Sequence, residues 1–406
     1  MVKAIVGANW GDEGKGRMVD LLSENADIVA RYQGGNNAGH TVINDHGKIV
    51  LNLLPSGISR EGTVNVMGNG MVIDLEHLVH EIQSLRDKGI HIGPDNLKIS
   101  DKAVICLPWH KMQDIMEEDR LKDKKFGSTR RGIGPVYADK YMKKAIRMGD
   151  LFAPDKLPEK VADLTEWKNL TVRGYGHEPV KAEDILAWLH EFGDPIKPYI
   201  TDVSDYLYDA ATAGENIMFE AQLGALRDIE FGIYPYTSSS CTLAGYATIG
   251  AGIPGLKLDK TIGIMKAYSS CVGEGPFAVE MFGDEAEALR RAGGEYGAAT
   301  GRPRRVGAFD IPASRYGVRM HGADCIALTK MDVLSYMDKI PVCVAYDING
   351  EITEKFPVGE RLNAAKPVFE YMEGFGDISG CRKPEDLPKA AMDYIRYLEA
   401  AVCHLP

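Results

Sequence analysis

The sequence has little of what builds disulfide frameworks, membrane spans or nucleic-acid-binding surfaces. Its seven cysteines are scattered, odd in number and without a CxxC pair, which excludes a disulfide framework or a cysteine zinc site and indicates a reducing compartment. No apolar run is long enough to span a bilayer, and the first residues enter a predicted strand without the features of a signal peptide. The formal net charge of −11 argues against a general nucleic-acid-binding surface. We therefore expect a cytoplasmic protein that binds neither nucleic acid nor membrane.

Apolar residues and glycine are what the chain does have. Of its 406 residues, 45% are hydrophobic, which is enough for a large core. Glycine numbers 44, and a glycine-rich α/β chain has many tight turns, of which phosphate-binding loops are one cause.

The order of elements at the start of the chain predicts the fold class. An apolar run at 4–6 leads into a glycine-rich loop at 7–16, a helical stretch at 17–23 and a second apolar run at 28–32. Strand, loop, helix and strand in this order begin a βαβ unit. We predict an α/β fold with a mostly parallel, P-loop-NTPase-like central sheet flanked by helices. We expect a single domain over 1–406, with a largely helical insertion at about 101–200. Further strands are predicted at 49–54, 64–67, 217–219, 261–264, 325–328 and 342–345, and helices at 75–85 and 185–192.

The loop at 7–16 (GANWGDEGKG) resembles a phosphate loop. Its glycines, including Gly14 and Gly16, let backbone N–H groups point at phosphate oxygens, and Lys15 adds positive charge where a helix begins. It is not a Walker A sequence, because the glycine spacing is too long and Gly16 replaces the usual Ser or Thr. A carboxylate such as Asp12 beside phosphates is unfavourable unless it binds Mg²⁺ or handles a proton. The alternative is a tight turn with a solvated Asp–Glu pair.

A second glycine loop at 34–41 carries His40 directly after a predicted strand. A histidine there can act as an acid or polarise an oxygen. Alone it is weak evidence, because most histidines are structural or surface groups. Together with Asp12 on a neighbouring strand it forms a plausible acid–base couple.

Three further segments are typical of anion or base recognition. The segment at 127–135 (GSTRRGIGP) combines Gly, Ser/Thr and Arg, which suit a phosphate or carboxylate. The segment at 297–305 (GAATGRPRR) places three arginines together, which an anion would explain, although an exposed basic loop is an equal alternative. The string TKMD at 329–332 can read guanine through its Asp while the Lys stem covers the base. A run of basic residues also follows the first segment, and a solvated helix face is the preferred interpretation by spacing alone: Lys140, Lys143, Lys144 and Arg147.

Taken in order, these motifs resemble the adenylosuccinate synthetase family over nearly the whole chain. The strings that carry the resemblance are WGDEGKG, NAGHT, RGIGP, YPYTSSS, VGEGPF, TGRPRR and TKMD. The resemblance implies a Mg²⁺-dependent ligase in which GTP, IMP and L-aspartate give adenylosuccinate, GDP and phosphate. In that family the loop Asp removes the proton from purine N1, O6 attacks the γ-phosphate, and the aspartate amine displaces phosphate from C6. Positioning and charge stabilisation do most of the work in such a reaction.

The resemblance also implies roles for individual residues. Asp12 corresponds to the base and a Mg²⁺ ligand, the Gly39 carbonyl to a second Mg²⁺ ligand, and His40 to the group that stabilises or protonates the transferring oxygen. Homodimerisation is implied as well, with Lys143 of a partner subunit reaching the nucleotide phosphate. The residues expected to hold nucleotide, phosphate or base are Gly14, Lys15, Gly16, Asn37, Ser128, Thr129, Lys143, Arg147, Gln222, Leu223, Ser238, Lys330 and Asp332. Those expected to hold L-aspartate are Thr300, Arg302 and Arg304.

Several positions depart from the family pattern. Leu223 stands where a Gln normally contacts the purine nucleotide, and Gln222 beside it is a candidate to compensate, although a shift of one residue changes its direction. Lys143 replaces an Arg and so loses the bidentate fork. The sequence given ends before a Gly-Pro segment that covers guanine in the family, so ATP is an alternative phosphate donor. Other departures are Asn36, Cys271 and Ala299.

These departures leave two alternative functions open. The same reaction on another 6-oxopurine nucleotide, such as dGMP, is one, although Asp12 would clash with a 2-amino group. A guanine-nucleotide-binding regulatory protein without catalysis is the other. Retention of the reacting groups argues against it: Asp12, Lys15, His40, Arg302 and Arg304.

Overall fold

Short apolar runs form buried parallel strands in the computed structural model, which describes residues 1–44, 47–297, 301 and 303–403. The chain divides into two compact units. The first comprises residues 1–5, 15–222 and 238–260, and the second comprises residues 6–14, 223–237 and 261–406. Within the described residues, no helix combines the length and the apolar character that crossing a membrane requires.

The first unit is built on parallel strands. Its strands are β1 (Val2–Gly7, whose last two residues belong to the second unit), β2 (Ile28–Arg31), β3 (His40–Asn44), β4 (Gly47–Leu51), β5 (Val64–Met67), β6 (Val72–Ile73), β7 (Leu97–Ser100), β8 (Val104–Ile105), β9 (Ile200–Thr201) and β10 (Ile217–Glu220). Six of them lie side by side in the order β1-β10-β2-β5-β7-β9, and every pairing among these is parallel. Because β2 and β10 are buried at every position, they read as continuous apolar runs rather than alternating ones.

Helices flank these strands. They are α1 (Lys15–Leu22), α2 (Leu75–Arg86), α3 (Pro108–Leu121), α4 (Ile133–Tyr141), α5 (Leu157–Gly174), α6 (Ala182–Gly193), α7 (Val203–Thr212) and α8 (Ala247–Ala251). Asp74 caps α2 by accepting a hydrogen bond from the backbone N–H of His77. The stretch predicted as a helical insertion holds α3 to α6 and only two-residue strands.

The second unit contains a parallel strand pair and a mixed sheet. Its strands are β11 (Lys260–Lys266, whose first residue belongs to the first unit), β12 (Ser269–Cys271), β13 (Arg305–Gly307), β14 (Phe309–Asp310), β15 (Cys325–Thr329), β16 (Lys339–Ile348), β17 (Glu351–Thr353) and β18 (Lys366–Glu373). Its helices are α9 (Gly283–Gly293), α10 (Ile311–His321), α11 (Glu360–Asn363) and α12 (Lys389–Val402). Strand β11 pairs parallel with β15, whereas β16 pairs antiparallel with β17 and β18. A buried cluster that includes Val318, Val342 and Tyr394 joins α10, β16 and α12.

The predicted fold class is confirmed, since a mostly parallel sheet is flanked by helices. Two predicted strands differ in detail. The run at 49–54 forms β4 only as far as Leu51 and pairs antiparallel with β3. The run at 342–345 lies in the antiparallel part of the second unit, where β16 continues to Ile348.

Candidate active site

The glycine-rich loop after β1 folds around the buried carboxylate of Glu13. Its Oε1 accepts hydrogen bonds from the backbone N–H of Asn9 at 3.1 Å and of Gly11 at 2.8 Å. Glu13 is 2% exposed, so the interpretation of a solvated Asp–Glu pair is wrong for this residue. Asp12 has a left-handed φ of +59°, and its side chain is 33% exposed. The loop therefore turns one carboxylate inward as an anchor and leaves Asp12 accessible.

The turn at Leu223 and Gly224 packs directly against this loop. Leu223 has a φ of +61°, which is rare for a bulky residue. A Cβ added to Gly11 would lie 3.3 Å from the Leu223 Cα, and one added to Gly224 would lie 2.4 Å from the Asn9 carbonyl oxygen. The two turns thus fit together only because glycine occupies both positions.

Arg304 links Asp12 to a second buried carboxylate. Its Nη2 lies 3.2 Å from Asp12 Oδ2, and its Nη1 donates to Glu295 Oε2 at 2.9 Å. Burial opposes ionisation of Glu295, but Lys266, Tyr268 and Arg304 outweigh it and lower the pKa of Glu295 to about 2. Glu295 is therefore an anion at neutral pH and holds one end of the guanidinium.

The TKMD segment joins the same cluster in the second unit. Thr329 Oγ1 donates to the Glu13 carbonyl oxygen at 2.9 Å, which ties the end of β15 to the Asp12 loop. Lys330 has a φ of +59°, donates to the Gly293 carbonyl oxygen, and lies 3.8 Å from Glu295 Oε1. Asp332 is exposed. The predicted aspartate residues Thr300 and Arg302 lie outside the described residues.

His40 is held by a buried carboxylate in the first unit. Its Nδ1 makes a short hydrogen bond to Glu220 Oε1, and both side chains are buried. Glu220, the last residue of β10, also accepts from the Ser56 backbone N–H at 2.8 Å and from the Ser56 hydroxyl at 2.6 Å. A Cβ added to Gly16 would lie 2.9 Å from the His40 Cβ, so glycine at the start of α1 makes room for the ring.

The charges around His40 favour a neutral ring with its Nδ1 proton directed at Glu220. Burial opposes ionisation of Glu220, but His40, Arg31 and Ser56 lower the pKa of Glu220 to about 2. Burial lowers the pKa of His40, and the positive charges of Arg31 and Lys15 lower it further against the opposing effect of Glu220. Because Arg31 already balances the Glu220 anion, a proton on His40 would be an uncompensated buried charge.

The buried side chain of Gln222 holds the loop between β2 and β3 by hydrogen bonds. Its amide nitrogen donates to the Gly35 carbonyl oxygen at 2.6 Å and to the Asn52 carbonyl oxygen at 3.1 Å, and its side chain is fully buried. Asn37 closes the loop by accepting from the Gly35 N–H at 3.2 Å, and Gly39 is exposed. The donors of Gln222 are thus used inside the protein, and its compensation for Leu223 stays a prediction.

Ser238 connects to this loop through a short chain of hydrogen bonds. Its hydroxyl lies 3.0 Å from the Ser240 hydroxyl, which donates to Gln33 Oε1 at 3.0 Å. Gln33 in turn donates to the Gln222 carbonyl oxygen at 2.7 Å. Ser238 therefore belongs to the same part of the first unit as the His40 loop.

The basic segment before and after α4 is largely exposed. Ser128 donates to Asp114 at 2.6 Å, which shapes the turn that carries the exposed Thr129. Lys143 and Arg147 are exposed, in agreement with a solvated basic face. Lys140 is different, because it donates to the Asn69 carbonyl oxygen at 3.3 Å and burial lowers its pKa to about 8.

The structural roles of three acidic residues were not predicted from the sequence. Glu220 ends a buried strand beside β1 and β2, where ligands collect in parallel sheets, and that position was a usable signal. Glu13 and Glu295 lie next to recognised motifs, but burial of a glutamate cannot be read from its neighbours. Within the described ranges, no three His, Cys, Asp or Glu side chains are grouped closely enough to hold a metal ion by themselves.

Comparison with known proteins assigns the family. The adenylosuccinate synthetase family model matches residues 4–404. The chain is 45% identical to the adenylosuccinate synthetase of Caldanaerobacter subterraneus subsp. tengcongensis, over 99% of this chain and 94% of that protein. It is 43% identical to that of Ligilactobacillus salivarius, over 98% of this chain and 93% of that protein.

Solved structures agree with the sequence comparison. The fully ligated adenylosuccinate synthetase of Plasmodium falciparum matches with a TM-score of 0.91 and 37% identity, covering 99% of this chain and 95% of that one. A cyanophage S-2L succinoaminodeoxyadenylate synthetase bound to dGMP and dATP matches with a TM-score of 0.56 and 20% identity, covering 80% of this chain and 83% of that one, which shows a shared fold alone. The chain therefore belongs to the adenylosuccinate synthetase family of ligases.

Proposed function

We propose that this chain carries out the reaction of its family with Asp12 as the base and His40 as the group that serves the transferring oxygen. In this reaction L-aspartate is joined to C6 of IMP at the expense of GTP, and adenylosuccinate, GDP and phosphate are formed. The observation that carries the proposal is the accessible Asp12 carboxylate, set out from a loop that Glu13 anchors and paired to Arg304. Family membership supports the substrates and a cytoplasmic role in purine biosynthesis.

Asp12 has the chemistry to remove the proton from N1 of IMP. Deprotonation of N1 moves electron density to O6, which becomes the nucleophile toward the γ-phosphate. The O6 phosphoryl group then turns a poor leaving group into a good one, and the aspartate amine forms the new bond to C6 as phosphate leaves. Arg304, already within reach of Asp12, is placed to attract an incoming carboxylate.

His40 is suited to meet the oxygen that receives the phosphoryl group. Because Nδ1 is committed to Glu220, Nε2 is the ring atom left for a ligand. The negative charge of a bound triphosphate would raise the pKa of the ring, and the Glu220 anion would stabilise the imidazolium that results. His40 then donates from Nε2 as charge develops on the transferring oxygens.

The remaining proposals concern the residues that bind each substrate. The purine nucleotide and its phosphate are proposed to bind where Lys15 and the basic segment supply positive charge. The residues proposed for this are Gly14, Lys15, Gly16, Asn37, Ser128, Thr129, Arg147, Gln222, Leu223 and Ser238. Guanine is proposed to contact Lys330 and Asp332, and L-aspartate to contact Thr300, Arg302 and Arg304.

Mg²⁺ and a partner subunit complete the proposal. The Asp12 carboxylate and the Gly39 carbonyl are hard oxygen donors of the kind Mg²⁺ prefers, and substrate phosphates supply other ligands in such sites. When bound, the ion would neutralise phosphate charge. Homodimerisation is proposed because exposed Lys143 would then serve the nucleotide phosphate of a partner subunit.

The alternatives considered from the sequence are not favoured. Relatives at 43–45% identity across nearly the whole chain are adenylosuccinate synthetases, whereas the dGMP-bound neighbour shares only the fold. A regulatory protein without catalysis is not favoured either, since the chain belongs to a family of ligases.

A substrate matrix tests this proposal. Purified protein, Mg²⁺ and L-aspartate are mixed with IMP, dIMP, GMP or dGMP, each with GTP or ATP, and succino-nucleotide products are identified by mass spectrometry. We expect product from IMP with GTP. Product only from dGMP, or only with ATP, would overturn the substrate assignment and make the departures at Leu223 and Lys143 the specificity determinants.

A further inference from the structure

Glu295 lies at the centre of a buried cluster that no part of the proposed reaction uses directly. It follows α9, is fully buried, and collects donors from three directions. Lys266 Nζ contacts its Oε1 at 2.7 Å, the Tyr268 hydroxyl donates to the same oxygen at 2.5 Å, and Arg304 Nη1 donates to Oε2 at 2.9 Å. A buried carboxylate with this many donors is strongly constrained in orientation.

Two cationic residues of the proposed site, Arg304 and Lys330, lie close to the Glu295 carboxylate. Arg304 is bound to Glu295 twice, since its backbone N–H also donates to the Glu295 carbonyl oxygen at 2.9 Å. Lys330 Nζ lies 3.8 Å from Oε1 and donates to the carbonyl oxygen of Gly293, two residues earlier. The segment 293–295 therefore contacts Arg304, one of the residues proposed for L-aspartate, and Lys330, one of those proposed for guanine.

We infer that Glu295 is a positioning residue that aligns Arg304 and Lys330 together and so couples the binding of L-aspartate to that of GTP. This inference rests on the roles proposed for Arg304 and Lys330. The carboxylate does not touch substrate in this account. It fixes where the two cationic groups stand before substrate arrives, and a change at either end is transmitted through its two oxygens.

Lys266 and Tyr268 explain why the carboxylate stays in place. Lys266 is 3% exposed and also donates to the Ser270 hydroxyl at 2.6 Å, so its ammonium group is held on two sides. Tyr268 is buried as well. With Oε1 fixed by these two groups, Oε2 can face Arg304 in only one direction.

The test is Glu295→Gln, which keeps the shape of the side chain and removes its charge. We expect the KM for L-aspartate and the KM for GTP to rise together, each by about tenfold or more, because Arg304 loses a charge-assisted hydrogen bond and Lys330 loses the negative charge that faces it at 3.8 Å. The KM for IMP is the internal control, since the residues proposed for IMP phosphate, such as Asn37 and Ser238, lie in the first unit. The matched control is Glu370→Gln, which removes an exposed carboxylate that also accepts from a tyrosine hydroxyl (Tyr397).

Each outcome decides the matter. A rise in both KM values with KM for IMP and the Glu370→Gln control unchanged supports the inference. A rise in the KM for L-aspartate alone, an equal rise in all three, or no change overturns it. If Glu295→Gln does not fold, Glu295→Asp and Tyr268→Phe carry the same test, with a joint rise of about threefold expected from Tyr268→Phe. Absence of product from the unaltered protein would refute the proposed function instead.

Discussion

Replacement of Glu220 by Gln tests the buried support of His40. Glu220 accepts hydrogen bonds from Ser56 and His40 and lies beside the fully buried Arg31. Gln keeps the size of the side chain but removes the charge that Arg31 and His40 face. Removing one partner of a buried ionic group costs about 3–5 kcal/mol of stability in general.

The pH dependence of this loss follows from the lowered pKa of Glu220. Its pKa falls from the usual 4.5 to about 2 in the folded protein, so the folded state binds fewer protons than the unfolded state between these values. Stability from Glu220 is therefore fully present above about pH 4.5 and is lost as pH falls toward 2, at about 1.4 kcal/mol per pH unit. At neutral pH the whole contribution is about 3 kcal/mol by the same relation.

The assay is urea unfolding of the unaltered protein and Glu220→Gln at pH 7, 4 and 3. We expect the variant to be less stable at pH 7 and the difference to shrink at pH 3. The control is Glu166→Gln, at an exposed residue of α5. For this variant we expect the difference in stability from the parent to stay the same at all three pH values. A difference that stays constant with pH, or a variant as stable as the parent at pH 7, would refute the reasoning. In the same variant kcat should fall by at least about tenfold, since His40 loses the group that orients it.

Three further predictions concern other residues. Asp12→Asn and His40→Asn should each abolish turnover while the circular dichroism spectrum stays unchanged. The controls Asp377→Asn and His91→Asn, at exposed residues, should remain active. Near-normal activity of Asp12→Asn or His40→Asn would contradict the mechanism. Leu223→Gln should lower the KM for IMP in steady-state assays if the departure at this position weakens purine contacts, and an unchanged KM would count against that idea. Burial raises the pKa of Asp310 to about 6 despite hydrogen bonds from Tyr346 and Ala313. Because the folded state then binds more protons than the unfolded state, the stability contributed by Asp310 is present below about pH 3.8 and is lost as pH rises through about 6. The free energy of unfolding of Asp310→Asn, compared with that of the parent in urea titrations, should therefore increase between pH 4 and pH 7. A difference in unfolding free energy that does not change with pH would contradict this prediction.

The fold class could be predicted because its strands are continuous apolar runs. Strands β2, β5 and β10 are buried on both faces, and such runs are visible without alternation. The strand β3 was missed because it begins at His40, inside what the sequence shows as a glycine loop. Strands of two or three residues, such as β6 and β14, carry too few residues for a pattern.

The motif residues were found from sequence, but the groups that position them were not. Short segments rich in glycine, lysine and arginine indicate anion-binding sites by their composition alone. Glu13, Glu220 and Glu295 act through burial and through partners distant in sequence, with 180 residues separating His40 and Glu220. Only the fold brings such pairs together, so their roles follow from structure.

In the proposed mechanism O6 of IMP is phosphorylated before the aspartate amine displaces the resulting phosphate from C6. This order is tested most directly with IMP labelled with ¹⁸O at O6, incubated with GTP, L-aspartate, Mg²⁺ and the protein. If the phosphoryl group is carried on O6, the bond broken at C6 leaves that oxygen in inorganic phosphate. We predict one ¹⁸O per phosphate released, matched to the adenylosuccinate formed. Unlabelled phosphate with ¹⁸O in water would contradict the account, because the oxygen would then have left C6 without a phosphoryl group.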